Sequence, residues 1–186
     1  MRLFIAVLFP VDIEASLYQA VEKLKNKSKS GTFTARENLH LTVNFIGETK
    51  RLEEVTSAMQ RAVDKANALS FELTVRGFGR FRRREGDIYW IGVEKENTLW
   101  RLQKELVKEL KEAGFYDVDD MEYTPHLTLG RRVIVKEGFN SREFESEIAP
   151  MAVPVSRLSL MKSERLEGKL VYTEIFHIGL GREESK

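Results

Sequence analysis

The chain of 186 residues suits one domain, or two small lobes on a shared core, and its 42% of hydrophobic residues can build a packed interior. The 30 Lys and Arg balance 29 Asp and Glu, which excludes a protein that coats nucleic acid through bulk charge; any such contact has to be local. The absence of cysteine excludes disulfides, thiolate metal sites and cysteine nucleophiles together.

In chain order, residues 2–8 read as a buried first strand. The apolar run there is too short for a membrane helix, and Pro10, Asp12 and Glu14 follow where a signal peptide would place a small-residue cleavage site. A cytoplasmic protein that does not enter the membrane is expected. Residues 12–28 carry Leu17, Val21 and Leu24 at helical spacing. Residues 39–45 read as a strand, 52–68 as a helix with Val55, Met59, Ala62, Val63 and Ala66 on one face, and 71–77 as an alternating strand. The order then starts again. Residues 88–93 read as a strand, and Asn97 as the N-cap of a helix over 98–113 that stops at Gly114. Residues 123–130 read as a strand, and Asn140 with Glu143 has capping-box spacing for a short helix ending before Pro150. Residues 153–162 and 170–178 close the chain as strands around a turn at Gly168.

The pattern is β-α-β-α-β, twice. It predicts an α+β protein in which two pseudo-symmetric lobes, with mostly antiparallel sheets, face a central cleft. The whole of 1–186 forms one bilobal domain in this reading, lobe 1 about 1–80 and lobe 2 about 85–180. From Phe4 to His40 is 36 residues, and from Tyr89 to His126 is 37. Both histidines open the same kind of tetrad, His40-Leu41-Thr42-Val43 and His126-Leu127-Thr128-Leu129. Residues i and i+2 of a strand share a face, so His40 projects with Thr42 and His126 with Thr128, while the aliphatic neighbours go to the core. About a pseudo-two-fold axis the two pairs meet. Histidine titrates near neutral pH, so one imidazole can take a proton from water while the other gives one to a leaving oxygen. The threonine hydroxyls can donate to non-bridging phosphate oxygens. That set suits in-line displacement at phosphorus.

Asn38-Leu39-His40-Leu41-Thr42-Val43-Asn44-Phe45-Ile46-Gly47-Glu48 resembles the first signature of the 2H phosphoesterases, RNA 2',3'-cyclic phosphodiesterase (2'-5' RNA ligase-like) family. Tyr123-Thr124-Pro125-His126-Leu127-Thr128-Leu129-Gly130-Arg131 resembles the second. The resemblance implies hydrolysis of RNA 3' ends bearing a 2',3'-cyclic phosphate, tRNA fragments among them, to a terminal 2'-phosphate, with a weak reverse 2'-5' ligation. It implies His126 as the base for water and His40 as the acid for the leaving O3'. It also implies Arg131 as a phosphate contact and Phe45 as a base-stacking aromatic. Strict alternation puts both of these opposite the histidines, so each strand must end or twist before them; Gly47 and Gly130 mark where it could. No metal, no nucleotide cofactor and no obligate protein partner are expected. Other readings are a different 2H activity (a small cyclic nucleotide phosphodiesterase or an RNA 3' exonuclease) and a non-catalytic module that binds RNA ends. An ATP-dependent ligase lacks its nucleotide-binding lysine motif.

The remaining candidates are weaker. Three histidines are few for a metal site, and Asp117, Asp119, Asp120 and Glu122 read as a solvated loop. His177 reads as structural or exposed. Arg76, Arg80, Arg82, Arg83 and Arg84, with Phe78 and Phe81 among them, read either as an RNA-phosphate clamp or as a soluble hairpin tip. Trp90 and Trp100 read as core. Gly77-Phe78-Gly79 has neither the lysine nor the helix start of a phosphate loop.

Overall fold

A computed structural model describes residues 1–118 and 122–181 of the chain. The elements are β1 (Arg2–Val7), α1 (Val11–Asn26), β2 (Ser28–Phe33), a 3-10 turn at Arg36–Asn38, β3 (Leu41–Glu48), α2 (Leu52–Ala66), β4 (Phe71–Phe81), β5 (Asp87–Val93), α3 (Asn97–Glu112), β6 (His126–Val135), α4 (Ser141–Ser146), β7 (Met151–Val155), β8 (Arg157–Leu166) and β9 (Lys169–Gly179). Among the described residues no helix is long and apolar enough to cross a membrane.

The fold is α+β, and neighbouring strands run antiparallel throughout both of its sheets. The first sheet has the order β3-β1-β8-β9 and the second β2-β6-β5-β4-β7. Leu3, Ile5 and Val7 of β1, the inner faces of α1, α2 and α3, and Leu127 and Leu129 of β6 belong to one buried cluster. Phe4 and Ala6 point to the other side of the first sheet, where they form a small layer with Met161. Alternation in β1 therefore separates the main core from the open face of this sheet.

The sheets do not coincide with the halves of the chain. β4 leaves the first half to lie beside β5, and β8 leaves the second half to lie beside β1. Each half thus lends two strands to the other's sheet, β2 and β4 to the second and β8 and β9 to the first. The stretch 153–162, expected as one strand, is two. β7 ends at Val155 on the edge of the second sheet, and β8 starts at Arg157 in the first. Pro154 has no N–H to give and is tolerated in β7 because that strand is an edge. The edge strand β2 follows α1, which ends at Asn26 rather than 28. Its sequence Ser-Lys-Ser-Gly-Thr-Phe is largely exposed and has no apolar period to announce it.

Caps follow local chemistry. Asn140 caps α4, accepting from the N–H groups of Arg142 (3.0 Å) and Glu143 (3.4 Å). The cap of α3 is Glu96 and not Asn97: its carboxylate accepts the Leu99 N–H at 2.6 Å, at the positive end of the helix dipole. Glu167 and Gly168 both take positive φ (49° and 80°), giving the two-residue turn that joins β8 to β9.

Candidate active site

His40 immediately precedes β3 and His126 opens β6. Both line one cavity of about 350 Å³, together with Thr42, Thr128 and Arg131. Each ring is fixed in the same way. His40 Nδ1 lies 2.7 Å from the carbonyl oxygen of Asn38, and His126 Nδ1 lies 2.7 Å from that of Thr124. A carbonyl can only accept, so each Nδ1 carries the proton and each Nε2 is left to the cavity as a base in the neutral ring. Thr42 Oγ1 stands 3.0 Å from His40 Nε2 and donates to it in that state. Among the described residues His126 Nε2 has no such partner.

The rings sit against matching aromatic walls. His40 packs on Phe4 (4.9 Å between centroids) and Tyr172 (5.1 Å), and His126 on Phe81 (5.0 Å) and Trp90 (6.0 Å). Trp90, and not Tyr89, thus stands behind His126 as Phe4 stands behind His40, each 36 residues before its histidine. Tyr89 is core, stacked on Phe78. Trp90 is half-buried against the histidine rather than in the core, and its close approach requires Gly79. A Cβ there would lie 2.3 Å from the indole. Trp100, also half-buried, packs on Tyr123 at the edge of the core.

Two bulges resolve the problem of Phe45 and Arg131. β3 pairs Ala6 with Thr42 but Ile5 with Asn44, so one residue is inserted and the alternation changes phase. Thr42 and Phe45 then project to the same face, and Phe45 is 54% exposed there. β6 behaves alike: Trp90 pairs with Thr128 but Tyr89 with Gly130, which turns Arg131 to the side of Thr128. Gly47 has a left-handed φ of 89° at a second register shift of β3, which stays paired with β1 to Glu48; Gly130 has no such φ, and the positive φ in β6 is at Arg132 (53°). Arg131 lines the cavity, and Phe45 lines an adjoining groove that shares His40 and Arg131 with it.

The surroundings disfavour charge on both imidazoles. Burial, chiefly, lowers His40 to about 4, with the Arg131 guanidinium and His126 adding to it against the Asn38 carbonyl. Burial also lowers His126, again with Arg131 adding and the Thr124 carbonyl opposing. With both values lowered, the rings are mainly neutral near pH 7. Cross-links hold the two motifs in place. The Tyr123 hydroxyl donates to the Thr42 carbonyl (3.0 Å), Thr34 Oγ1 to the Thr128 carbonyl (2.7 Å) and Asn38 Nδ2 to the Leu170 carbonyl (2.9 Å). The sequence carries no signal for these three bonds, because each partner is remote along the chain.

The weaker candidates separate from the site. His177 is exposed on β9, 3.7 Å from Glu174. Asp117 and Glu122 are exposed, and Asp119 and Asp120 lie outside the described residues. Among the described residues no three His, Asp or Glu converge as metal ligands. Arg76 and Arg80 pair with Glu94 (3.2 Å) and Asp87 (2.8 Å) along the β4–β5 hairpin.

The family model of the 2'-5' RNA ligase superfamily matches residues 10–167. An RNA 2',3'-cyclic phosphodiesterase of Thermotoga maritima is 31% identical over 166 residues, 88% of this chain and 87% of that one. One of Methanothermobacter thermautotrophicus is 30% identical over 187 residues, 94% and 96% of the two chains. The crystal structure of LigT from E. coli superposes with a TM-score of 0.75 at 24% identity, covering 96% of this chain and 97% of that one, and shares its fold.

Proposed function

This chain belongs to the 2'-5' RNA ligase superfamily, and from that premise we propose that it is an RNA 2',3'-cyclic phosphodiesterase, converting a terminal 2',3'-cyclic phosphate to a 2'-phosphate. The observation that carries the reading is the pair of imidazoles whose Nδ1–H groups are tied to the backbone while both rings line one cavity.

In the proposed reaction the cyclic phosphate lies between the rings. His126 Nε2 takes a proton from water as its oxygen bonds to phosphorus. The P–O3' bond breaks, and O3' takes the proton of His40 Nε2. The product carries a 2'-phosphate and a 3'-hydroxyl; run backwards, the same groups join ends through a 2'-5' linkage. Arg131 and the hydroxyls of Thr42 and Thr128 meet the non-bridging oxygens, where charge grows. Phe45 stacks on the terminal base. The acid has to be protonated although His40 is held low when the cavity is empty. The phosphate supplies the remedy, because its negative charge beside Arg131 and His40 favours the imidazolium. No metal takes part in this scheme. Within a cell, the fitting substrates are cyclic-phosphate ends of RNA in the cytoplasm, cleaved tRNAs included.

The scheme is tested with short RNA ending in a 2',3'-cyclic phosphate, incubated in EDTA, with products sorted as 2'- or 3'-phosphate. A 2'-phosphate is expected; an unchanged end or a 3'-phosphate contradicts it. A substrate with sulfur in place of the bridging 3' oxygen assigns the roles, since a thiolate leaves without a proton. It should restore turnover to His40→Ala and not to His126→Ala; the reverse pattern exchanges acid and base.

A further inference from the structure

The site cavity opens into a second groove of about 780 Å³ that shares His40, Arg131, Arg165 and Tyr172 with it. The strand register shows what this groove offers. Residues opposed in neighbouring strands share a face, so Glu48, Arg2, Ser163 and Tyr172 form one row across β3, β1, β8 and β9. Phe45, Phe4 and Met161 form the next row, beside His40, with Glu174, which accepts from Ser159 Oγ at 2.6 Å, at its β9 end. Arg165 follows two residues after Ser163 on the same face.

The open face of the first sheet is thus graded. An aromatic layer of Phe4, Phe45 and Tyr172 lies next to His40, and one step of two residues from Phe4, roughly 7 Å along β1, Arg2 takes over. Arg2 and Arg165 are exposed, and neither makes an ion pair among the described residues; Arg165 donates only to the Gly168 carbonyl, at 3.1 Å. The one carboxylate of that row, Glu48, lies 3.3 Å from the amino terminus. The rival cationic surface is differently placed. Arg82, Arg83 and Arg84 are exposed at the tip of the β4–β5 hairpin, and none of them lines either of these two cavities.

We propose that this groove is a second nucleotide subsite, in which Arg2 and Arg165 hold the phosphodiester on the 5' side of the terminal nucleotide. The proposal rests on the phosphodiesterase reading and extends it. The substrate is an oligoribonucleotide rather than a nucleoside cyclic phosphate, and its chain leaves the site over the first sheet, not along the Arg76–Arg84 hairpin. A mononucleotide meets Arg165, which also lines the site cavity, and leaves Arg2 unused. An added upstream phosphate lies between the two arginines, and its contribution should weaken with salt as counterion release requires.

The experiment compares a trinucleotide and a mononucleotide, both ending in the unreactive 2'-phosphate product, by their dissociation constants, and in parallel their cyclic-phosphate forms by turnover. The trinucleotide is expected to bind at least tenfold more tightly. In Arg2→Ala/Arg165→Ala the ratio of the two constants should fall toward one. The dependence of log K on log salt should flatten by about 0.7 for each phosphate that the variant no longer neutralises. Arg82→Ala/Arg83→Ala/Arg84→Ala should leave the ratio as it is. Equal binding of the two ligands overturns the subsite, and so does a ratio that collapses in the hairpin variant instead. If the expected binding pattern appears while wild type turns over neither cyclic form, the subsite stands and the phosphodiesterase reading fails.

Discussion

At the scale of single residues, the site depends on two backbone carbonyls and one guanidinium. The carbonyls of Asn38 and Thr124 fix the tautomers, and Arg131 adds to burial in lowering both rings. Removing that charge should raise both imidazole pKa values, which proton NMR of the ring Cε1–H signals would follow directly; an unchanged titration in Arg131→Ala would show that Arg131 does not act on the rings. The same variant should lose about 100- to 1,000-fold in turnover, as expected for a donor to a developing oxyanion. Stability should carry the mark of His40. Its folded value is about 4 against an ordinary 6.5, so between those values the unfolded chain binds more protons. Stability therefore falls as pH drops from 6.5 toward 4 and levels off below. Denaturant unfolding of His40→Gln across that window should show a shallower loss, and an equal slope in both proteins would place the burial cost elsewhere.

Among the elements, β3 and β6 form the site through a shared irregularity. The paired motifs are legible in the sequence because His-x-Thr at a period of two is a local signal, and so are the main helices, whose apolar stripes are regular. The bulges are not. Strict alternation puts Phe45 and Arg131 on the wrong face, and only the pairing with β1 and β5 reveals the inserted residue. Trp90 reads as core for a similar reason, since an indole beside Ile and Tyr looks apolar until Gly79 is seen to make room for it. That contact has a consequence. In Gly79→Ala the new methyl would displace the indole and with it the wall behind His126. We expect turnover to fall at least tenfold while the circular dichroism spectrum is kept; full activity would mean the indole is not needed. The two helices α2 and α3 are joined by a different device. Glu109, buried on α3, accepts from Arg61 (2.6 Å) and Lys65 (2.5 Å) of α2, and Lys65, more than Arg61, holds its carboxyl below the usual range despite burial. The ion pairs stabilise above the ordinary value of 4.5 and are lost as pH falls through the lower folded value, a window beneath that of His40. Glu109→Gln should cost about 1–3 kcal/mol in urea unfolding at pH 7 and much less at pH 3; a loss that does not shrink in acid would assign it to packing.

Across the whole molecule, the two halves of the sequence repeat share both sheets. The exchange of β2 and β4 against β8 and β9 puts strands of both halves in each sheet, and the main apolar cluster runs through both. Neither half should hold its sheet alone, so heat should unfold the chain in one transition, with calorimetric and van't Hoff enthalpies equal. Two resolved transitions would show that the lobes fold independently. The same exchange brings one histidine from each half to the cavity, and the proposed chemistry needs both. The direct measurement is single-turnover hydrolysis of RNA ending in a 2',3'-cyclic phosphate by wild type, His40→Ala, His126→Ala and the double variant. If the imidazoles act as one acid–base unit, each single variant should lose at least 100-fold, and the double variant should lose little more than the worse of the two. Near-wild-type hydrolysis in either single variant would contradict the two-histidine account.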